Sequence, residues 1–418
     1  MYHATSMQIF AFQGFRFSRK AGNAGRLAAP PFDQIDDGLR DELHAISPNQ
    51  FSWFTRSLAK GGEDPYQTAA FTHAKWIEDG VVARDREPAL YPYVIESESE
   101  GRQLALCCCI DVGSPERSVL RPHEQTVEKP LADRLALLRC THIDPEPVML
   151  LADDDGVLDA ILEEDLAGME PVVSHLDKDG YRHSVFRLGS PERIEHYKVA
   201  LAGRSATIAD GHHRCKTAQL FAREVGAREG TAAATKMAVL FSLRSRSLLI
   251  NPVHRGVRVP VSSMALAGNA VKRRPFSHGS GENLAAEVAA GSQPSLGVWC
   301  RGSAPEIWEL DAAAAPAGAP QLAADLSVVL LHYLLLPAAG VDLDAAIDGS
   351  ILYRADPEDL FAMVDRGDVE AGFWLPPMDA ETFARAVSAG DLLPPKSTRF
   401  LPKLISGLVW SGHDAELL

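Results

Sequence analysis

Apolar residues fall in short runs separated by polar turns, and the spacing within each run predicts what it forms. Residues 90–95 (LYPYVI) and 104–110 (LALCCCI) are aromatic and apolar and read as strands, with the polar stretch ESESEGRQ between them as a hairpin-like connection. Leu131, Leu135 and Leu138 recur at helical spacing and predict a helix over 131–140. Residues 206–209 suit a short buried strand. After them, Ala218, Phe221, Ala222 and Val225 fall at i, i+3, i+4 and i+7, and Gly226 closes the helix they mark. The most apolar stretch, 326–341, is shorter than the roughly 20 residues a bilayer demands and is broken by His332 and Pro337, so it predicts a buried core helix. The acidic run Asp153, Asp154, Asp155 and Gly156 follows VMLLA and reads as a solvated strand-end turn rather than a metal site.

Near residue 260 the texture changes. Residues 268–283 and 312–320 are rich in Ala, Gly, Ser and Pro and read as loops or linkers. Strand and helix signals intermingle without βαβ periodicity and without an internal repeat, so the expected class is α+β. At about 150 residues per domain, 418 residues make two or three units. The expected division is an N-terminal α+β region over 1–120, a core over 121–260 and a C-terminal α+β region over 261–418.

Composition narrows the function classes. A hydrophobic share of 46% with 23% charged residues is globular. The 41 basic against 56 acidic residues leave −15, which argues against nucleic acid as a partner, since phosphate contacts need a basic footprint. A local basic pocket for a phosphorylated metabolite is compatible with that sum. No membrane span is expected, and the N-terminal residues lack the basic and apolar regions of a signal peptide, so the expected location is cytoplasmic. Cys107, Cys108, Cys109, Cys140, Cys215 and Cys300 include no CxxC pair and read as reduced, buried thiols.

The stretch with the most chemistry is Asp210-Gly211-His212-His213-Arg214, between the strand at 206–209 and the helix that follows. The first N–H groups of a helix lack intrahelical partners and sit at the positive end of its dipole, so such a turn binds anions. Asp210 is expected as the N-cap. Gly211, without a Cβ, would let a phosphate approach the backbone. His212, His213, Arg214 and Lys216 add donors or charge, and Arg214 could grip phosphate oxygens in a two-pronged fashion. The plainer alternative is an Asp-capped helix whose histidines satisfy core hydrogen bonds.

A second constellation is Arg121-Pro122-His123-Glu124-Gln125-Thr126, followed by Lys129, Asp133 and Arg134. Glu124 could serve as a general base on a substrate hydroxyl or help hold a metal ion; a capping turn before the next helix is the competing explanation. Asn251-Pro252-Val253-His254-Arg255 reads as a strand end with exposed polar residues, and Lys396, Ser397, Thr398 and Lys403 as a basic, hydroxyl-rich loop that touches phosphate or is solvated.

Taken together, these motifs resemble the domain-of-unknown-function 1015 family within the ParB/sulfiredoxin superfamily. Pro30-Pro31-Phe32-Asp33 and the PPKST and FLPK motifs at 394–403 complete the resemblance, which spans nearly the whole chain. Phe32, Gln34, Leu393, Arg399 and Leu401 depart from the family pattern. The resemblance implies a ParB/sulfiredoxin-like nucleotide-binding core over 121–260 with additional N- and C-terminal α/β elements. The pair PHE and DGHHR is also similar to that of the free L-serine kinases. It implies a small-molecule kinase that moves a phosphoryl group from ATP or ADP, with Mg²⁺, to the hydroxyl of free serine or a related hydroxy amino acid, giving a phosphoserine-like product. Glu124, Asp210 and His123 are then catalytic. Gly211, His212, His213, Arg214, Thr217, Lys129 and Arg134 bind the nucleotide. Thr126, Asp33, His254, Arg255, Lys396, Ser397 and Thr398 bind the acceptor, and Asp210 with Glu124 holds the metal. Alternatives are a ParB-like nucleotide-binding or hydrolysing regulatory switch, and a metal-dependent phosphohydrolase with Asp210, His212, His213 and Glu124 as ligands. A second copy of the chain is a further candidate partner.

Overall fold

A computed structural model describes residues 7–62, 64–98, 100–112, 120–123, 129–245, 247–261, 270–277, 279–291, 294–320, 323–341, 349–388, 392–414 and 416–418. Its class is α+β, with helices and several sheets. The chain forms two compact units, one from Met1–Pro122, Thr126–Leu248 and Pro402–Leu418, the other from His123–Gln125 and Leu249–Leu401. The expected boundary at 120/121 runs between strands of a single sheet, because Gly101–Asp111 and Ala206–Asp210 both belong to it.

In the first unit the described strands make a nine-stranded sheet. Its order is Leu120–Arg121, Ala206–Asp210, Val148–Ala152, Thr235–Ser242, Gly101–Asp111, Tyr91–Ser97, Arg182–Val185 and Val173–Leu176, with Ile9–Phe10 also on Gly101–Asp111. Thr235–Ser242 runs parallel to Val148–Ala152 and Ala206–Asp210 parallel to Leu120–Arg121, while the remaining pairs are antiparallel. The Tyr91–Ser97 and Gly101–Asp111 hairpin is the one the apolar pattern predicts. Gly101–Asp111 is buried on both faces, which is why three successive cysteines suit it: Cys107, Cys108 and Cys109 alternate sides and are all within 1% of full burial. Helices Val157–Leu166 and Pro191–Leu201 insert Leu158, Ile161, Leu162, Ile194 and Tyr197 into the core formed with the sheet. The expected helix at 131–140 is present as Lys129–Thr141 and packs through Leu135 and Leu138 on Phe221 of His212–Glu224.

Asp154 corrects the reading of the acidic run as solvated. It is fully buried, accepts from Ser242 Oγ at 2.6 Å and from the Leu158 amide at 2.7 Å, and so ties the helix start to a neighbouring strand. Cys140 departs from the expected set of buried thiols, since it lies exposed near the end of Lys129–Thr141.

The second unit contains a six-stranded antiparallel sheet in the order Ala270–Pro275, Glu306–Leu310, Ser295–Cys300, Ala371–Trp374, His254–Val257 and Ile351–Arg354. The first of these strands falls where a loop was expected. It is an edge strand, where lysine, arginine and proline are tolerated, and Arg273 and Lys272 pair across it with Glu306 and Glu309. The apolar stretch at 326–341 lies in this unit's core, as expected, but not as one regular helix. Ser327–Leu330 passes into a π-helical turn over Leu331–Leu335 and resumes at Leu336–Ala338. Pro337 has no N–H and crowds the carbonyl four residues earlier, which accounts for the disturbed ladder.

Candidate functional site

The strand, glycine turn and helix expected around the DGHHR motif are present as Ala206–Asp210, Gly211 and His212–Glu224. A bulge between Ile208 and Asp210 shifts the register against Val148–Ala152 and re-aims the last strand residue. Gly211 has φ +95° and ψ 30°, a left-handed conformation that glycine adopts without strain. Its bare Cα faces protein atoms. A Cβ there would come within 2.8 Å of Val148 Cγ1 and 3.0 Å of Arg214 Nε, so the missing side chain makes room for the Arg214 guanidinium.

Asp210 is not the N-cap; Gly211 holds that position, and no side chain caps the helix. The Asp210 carboxylate instead accepts from two cations. Lys403 Nζ donates to Oδ1 at 2.7 Å and Arg214 Nη2 to Oδ2 at 2.6 Å. Burial would push this carboxyl up, but Lys403 and Arg214 hold it well below the usual carboxylate range. Its negative charge is therefore compensated by the two cations bonded to it.

Arg214 departs from the expectation of an outward-facing fork. Its Nη1 donates to the Pro147 carbonyl, its Nη2 to Asp210, and only 9% of its side chain is exposed. Glu146 lies in electrostatic reach of it and is itself 2% exposed. Burial pushes the Glu146 carboxyl up, while Arg214 and Arg134 pull it down. Glu146 Oε1 accepts from the Phe32 amide at 2.8 Å and from Ser406 Oγ at 3.3 Å, so it joins three distant segments. Arg134 is also buried. It donates to Asp133 and to the Thr55 carbonyl and lies 3.9 Å above the Phe32 ring. Asp33, in the turn Phe32–Gln34, is exposed and contributes to the electrostatic environment of both Glu146 and Arg214. Behind Arg214, Arg134, Asp144, Glu146, Lys236, Thr217 and His413 help line a cavity of about 30 Å³, room for a water molecule or two. Thr217 turns its hydroxyl back to the His213 carbonyl at 2.8 Å. His212 is buried and His213 half-buried at the first turn of the helix.

The second unit gathers a different part of the expected set. His123 Nε2 and Thr398 Oγ1 are 2.8 Å apart, with the His123 ring packed edge-on against Phe383 and Phe400. Arg255 is fully buried rather than exposed. It donates to the carbonyls of Val253, Pro395 and Lys396 and to His332 Nε2, and it lies against the Tyr353 ring. It thus holds a loop in which Lys396, itself exposed, has φ +58°. Ser397 is buried and donates to the Pro394 carbonyl at 2.6 Å. His254, also buried rather than exposed, accepts from the Leu375 amide, and burial beside Arg255 pulls its imidazole down to about 4. Glu124 and Thr126 lie outside the described residues. Lys129 begins its helix, and its side chain is likewise outside them.

Magnesium was expected at Asp210 and Glu124. Both Asp210 oxygens already accept charged donors, and a dication would sit beside Lys403 and Arg214. Among the described residues, no group of three or more His, Cys, Asp or Glu side chains is arranged to hold a metal ion. The donor set at Asp210 does not fit a protein-held Mg²⁺, nor does the set Asp210, His212 and His213 on which a metal-dependent phosphohydrolase would rest.

A family model described as "Protein of unknown function (DUF1015)" matches residues 9–273 and takes in Asp33, Arg134, Glu146 and the whole Asp210–Arg214 turn. The chain belongs to the DUF1015 family. No curated protein matches this DUF1015 chain in sequence. Among solved structures, a conserved hypothetical protein from Pyrococcus furiosus is 14% identical at a TM-score of 0.33, over 69% of this chain and 90% of that one. A free serine kinase in complex with AMP is 14% identical at 0.34, over 68% and 83%. SbnI with C-terminal truncation from Staphylococcus aureus is 9% identical at 0.37, over 72% and 85%.

Four residues at the DUF1015 turn carry more structure than their sequence context shows. Glu146 and Asp144 flank Pro145 with no motif around them. Lys236 sits in an apolar strand, yet its ammonium is buried against Asp144 and the Glu146 carbonyl. Lys403 meets Asp210 across 193 residues of chain. Lys403 stands in the FLPK motif, but nothing in the sequence links it to Asp210; for Lys236 the available signal is a lone charge inside an apolar run, since a buried charge needs a partner.

Proposed function

We propose that the chain is a small-molecule kinase, moving the terminal phosphoryl group of ATP or ADP to the hydroxyl of free serine or a related hydroxy amino acid. The observation that carries this reading is the Asp210–Gly211 turn: a strand end, a left-handed glycine and an uncapped 13-residue helix start, with the one carboxylate of the turn neutralised by two cations. Such a turn offers backbone N–H donors and the positive end of a dipole to phosphate oxygens. The ParB/sulfiredoxin-like assignment of the core rests on the sequence resemblance and is part of the same reading.

In the reaction, the acceptor hydroxyl oxygen forms a bond to the terminal phosphorus as the bond from that phosphorus to the bridging oxygen breaks. The shortened nucleotide leaves with the electron pair, and the hydroxyl proton passes to the carboxylate assigned to Glu124 by the resemblance. Catalysis of this kind consists mainly of positioning and charge neutralisation. Arg214 and Glu146, being buried and bonded to protein groups, hold the turn in shape. Incubating the protein with ATP or ADP, Mg²⁺ and a panel of free hydroxy amino acids should yield a phosphorylated amino acid, read by mass spectrometry. Nucleotide hydrolysis at one rate with or without every acceptor would instead favour the regulatory switch.

A further inference from the structure

We infer that Lys403, rather than Arg214, is the side chain that contacts the ligand's phosphate at the Asp210 turn. The inference rests on the phosphate reading of that turn and names which cation serves it.

Two cations flank Asp210, and they differ in what they have left to offer. Arg214 is 9% exposed, with Nη1 on the Pro147 carbonyl, Nη2 on Asp210 and Nε lying under Gly211. Its charge is present but its donors are directed into the protein. The Lys403 side chain is 24% exposed, and the Asp210 side chain beside it 25%, so this edge of the pair is open to solvent. An ammonium has three N–H donors. Among the described residues Asp210 Oδ1 is its hydrogen-bond partner, which leaves two donors for an incoming oxygen.

The backbone that carries Lys403 is fixed. Leu404, Ile405 and Ser406 are buried, and Ser406 exchanges backbone hydrogen bonds with Ala29 at 2.9 and 3.0 Å. The Ser406 hydroxyl also reaches Glu146. The lysine is therefore held in place before any ligand arrives, which lowers the ordering cost of binding. Asp210 orients the ammonium and is neutralised in return. A phosphate oxygen then shares the ammonium with Asp210 and gains a charge-assisted hydrogen bond. Asp33 and Glu146 also act on Arg214.

The test is calorimetric titration of the full chain with ATP, ADP, AMP and pyrophosphate, with circular dichroism to check folding. Lys403→Met should weaken ATP and pyrophosphate binding by at least about tenfold, whereas Lys403→Arg should stay within about threefold. Lys403→Met also strips Asp210 of a counterion, so the decisive comparison uses the Asp210→Asn background, where that loss has no meaning. There, adding Lys403→Met should still weaken binding by about tenfold. Native-like affinity in Lys403→Met, or a loss that vanishes in the Asp210→Asn background, overturns the inference and leaves Lys403 as a partner of Asp210 alone. If nucleotides fail to bind while pyrophosphate binds in a Lys403-dependent way, the kinase reading falls and Lys403 stands. If pyrophosphate binds neither wild type nor variant, both fall.

Discussion

At the scale of single residues, the turn shows how one missing side chain is used. The space beside the Gly211 Cα is filled by Val148 and by the guanidinium of Arg214, and its φ of +95° is one that other residues adopt only under strain. Gly211→Ala should therefore lower stability by about 1–3 kcal/mol and displace Arg214, weakening nucleotide binding in the molecules that remain folded. Thermal melts and calorimetry on the same preparation read the two effects separately. Glu124→Gln probes chemistry instead. It keeps size but removes charge and basicity, so turnover should fall by roughly 10²–10⁴ if this carboxylate takes the hydroxyl proton, with nucleotide affinity little changed. Near-normal turnover would remove Glu124 from the reaction.

At the scale of elements, much of the local architecture follows from the residue pattern. The hairpin at 91–111, the helix at 129–141 and the strand, glycine and helix at 206–224 each carry their residue pattern within about 20 residues, so spacing alone reveals them. The Ala270–Pro275 strand was not legible, because an edge strand takes its partner from a segment some 35 residues on, and its charged residues imitate a loop. The site was half legible for the same reason. Asp210, Gly211 and Arg214 are neighbours in sequence, whereas Lys403, Glu146 and Phe32 reach the turn only through tertiary packing. Arg255 was misread as exposed because its partners are backbone carbonyls, which leave no mark in a sequence.

One side-chain contact between elements makes a pH prediction. His73, on the helix Pro65–Glu78, accepts from Trp410 Nε1 at 3.0 Å and is 5% exposed. Burial pulls its imidazole from 6.5 down to about 4. The unfolded chain then takes up the proton first, so the stability from neutral His73 is complete above about pH 6.5 and is lost as pH falls toward 4. The loss amounts to about 3 kcal/mol at most. His73→Gln, which keeps an acceptor for Trp410, should flatten the fall in melting temperature between pH 6.5 and 4; an unchanged slope would show that other groups govern it.

At the scale of the whole molecule, the six cysteines sort by packing. Cys107, Cys108, Cys109, Cys215 and Cys300 are buried and Cys140 is exposed, with burial pushing the Cys108 thiol well up and the Cys109 and Cys215 thiols to about 12. A thiol-alkylating reagent should modify Cys140 first in the native protein and the rest only on unfolding, as read by intact mass. Fast labelling at Cys215 would mean that the helix carrying Arg214 opens readily.

Residues 402–418 pack into the first unit. Leu418 exchanges backbone hydrogen bonds with Ala11, the Trp410 amide donates to the Phe15 carbonyl, and Trp410 is fully buried. That unit is thus interrupted by Leu249–Leu401 and finished only by Pro402–Leu418. During synthesis, at about 5–20 residues per second, the Asp210 turn would wait some 10 s or more on the ribosome before Lys403 could reach it. For that interval Asp210 has one of its two cations, and the groove where Trp410 belongs is unfilled. Until Lys403 emerges, no growing chain presents Asp210 with both of its cations.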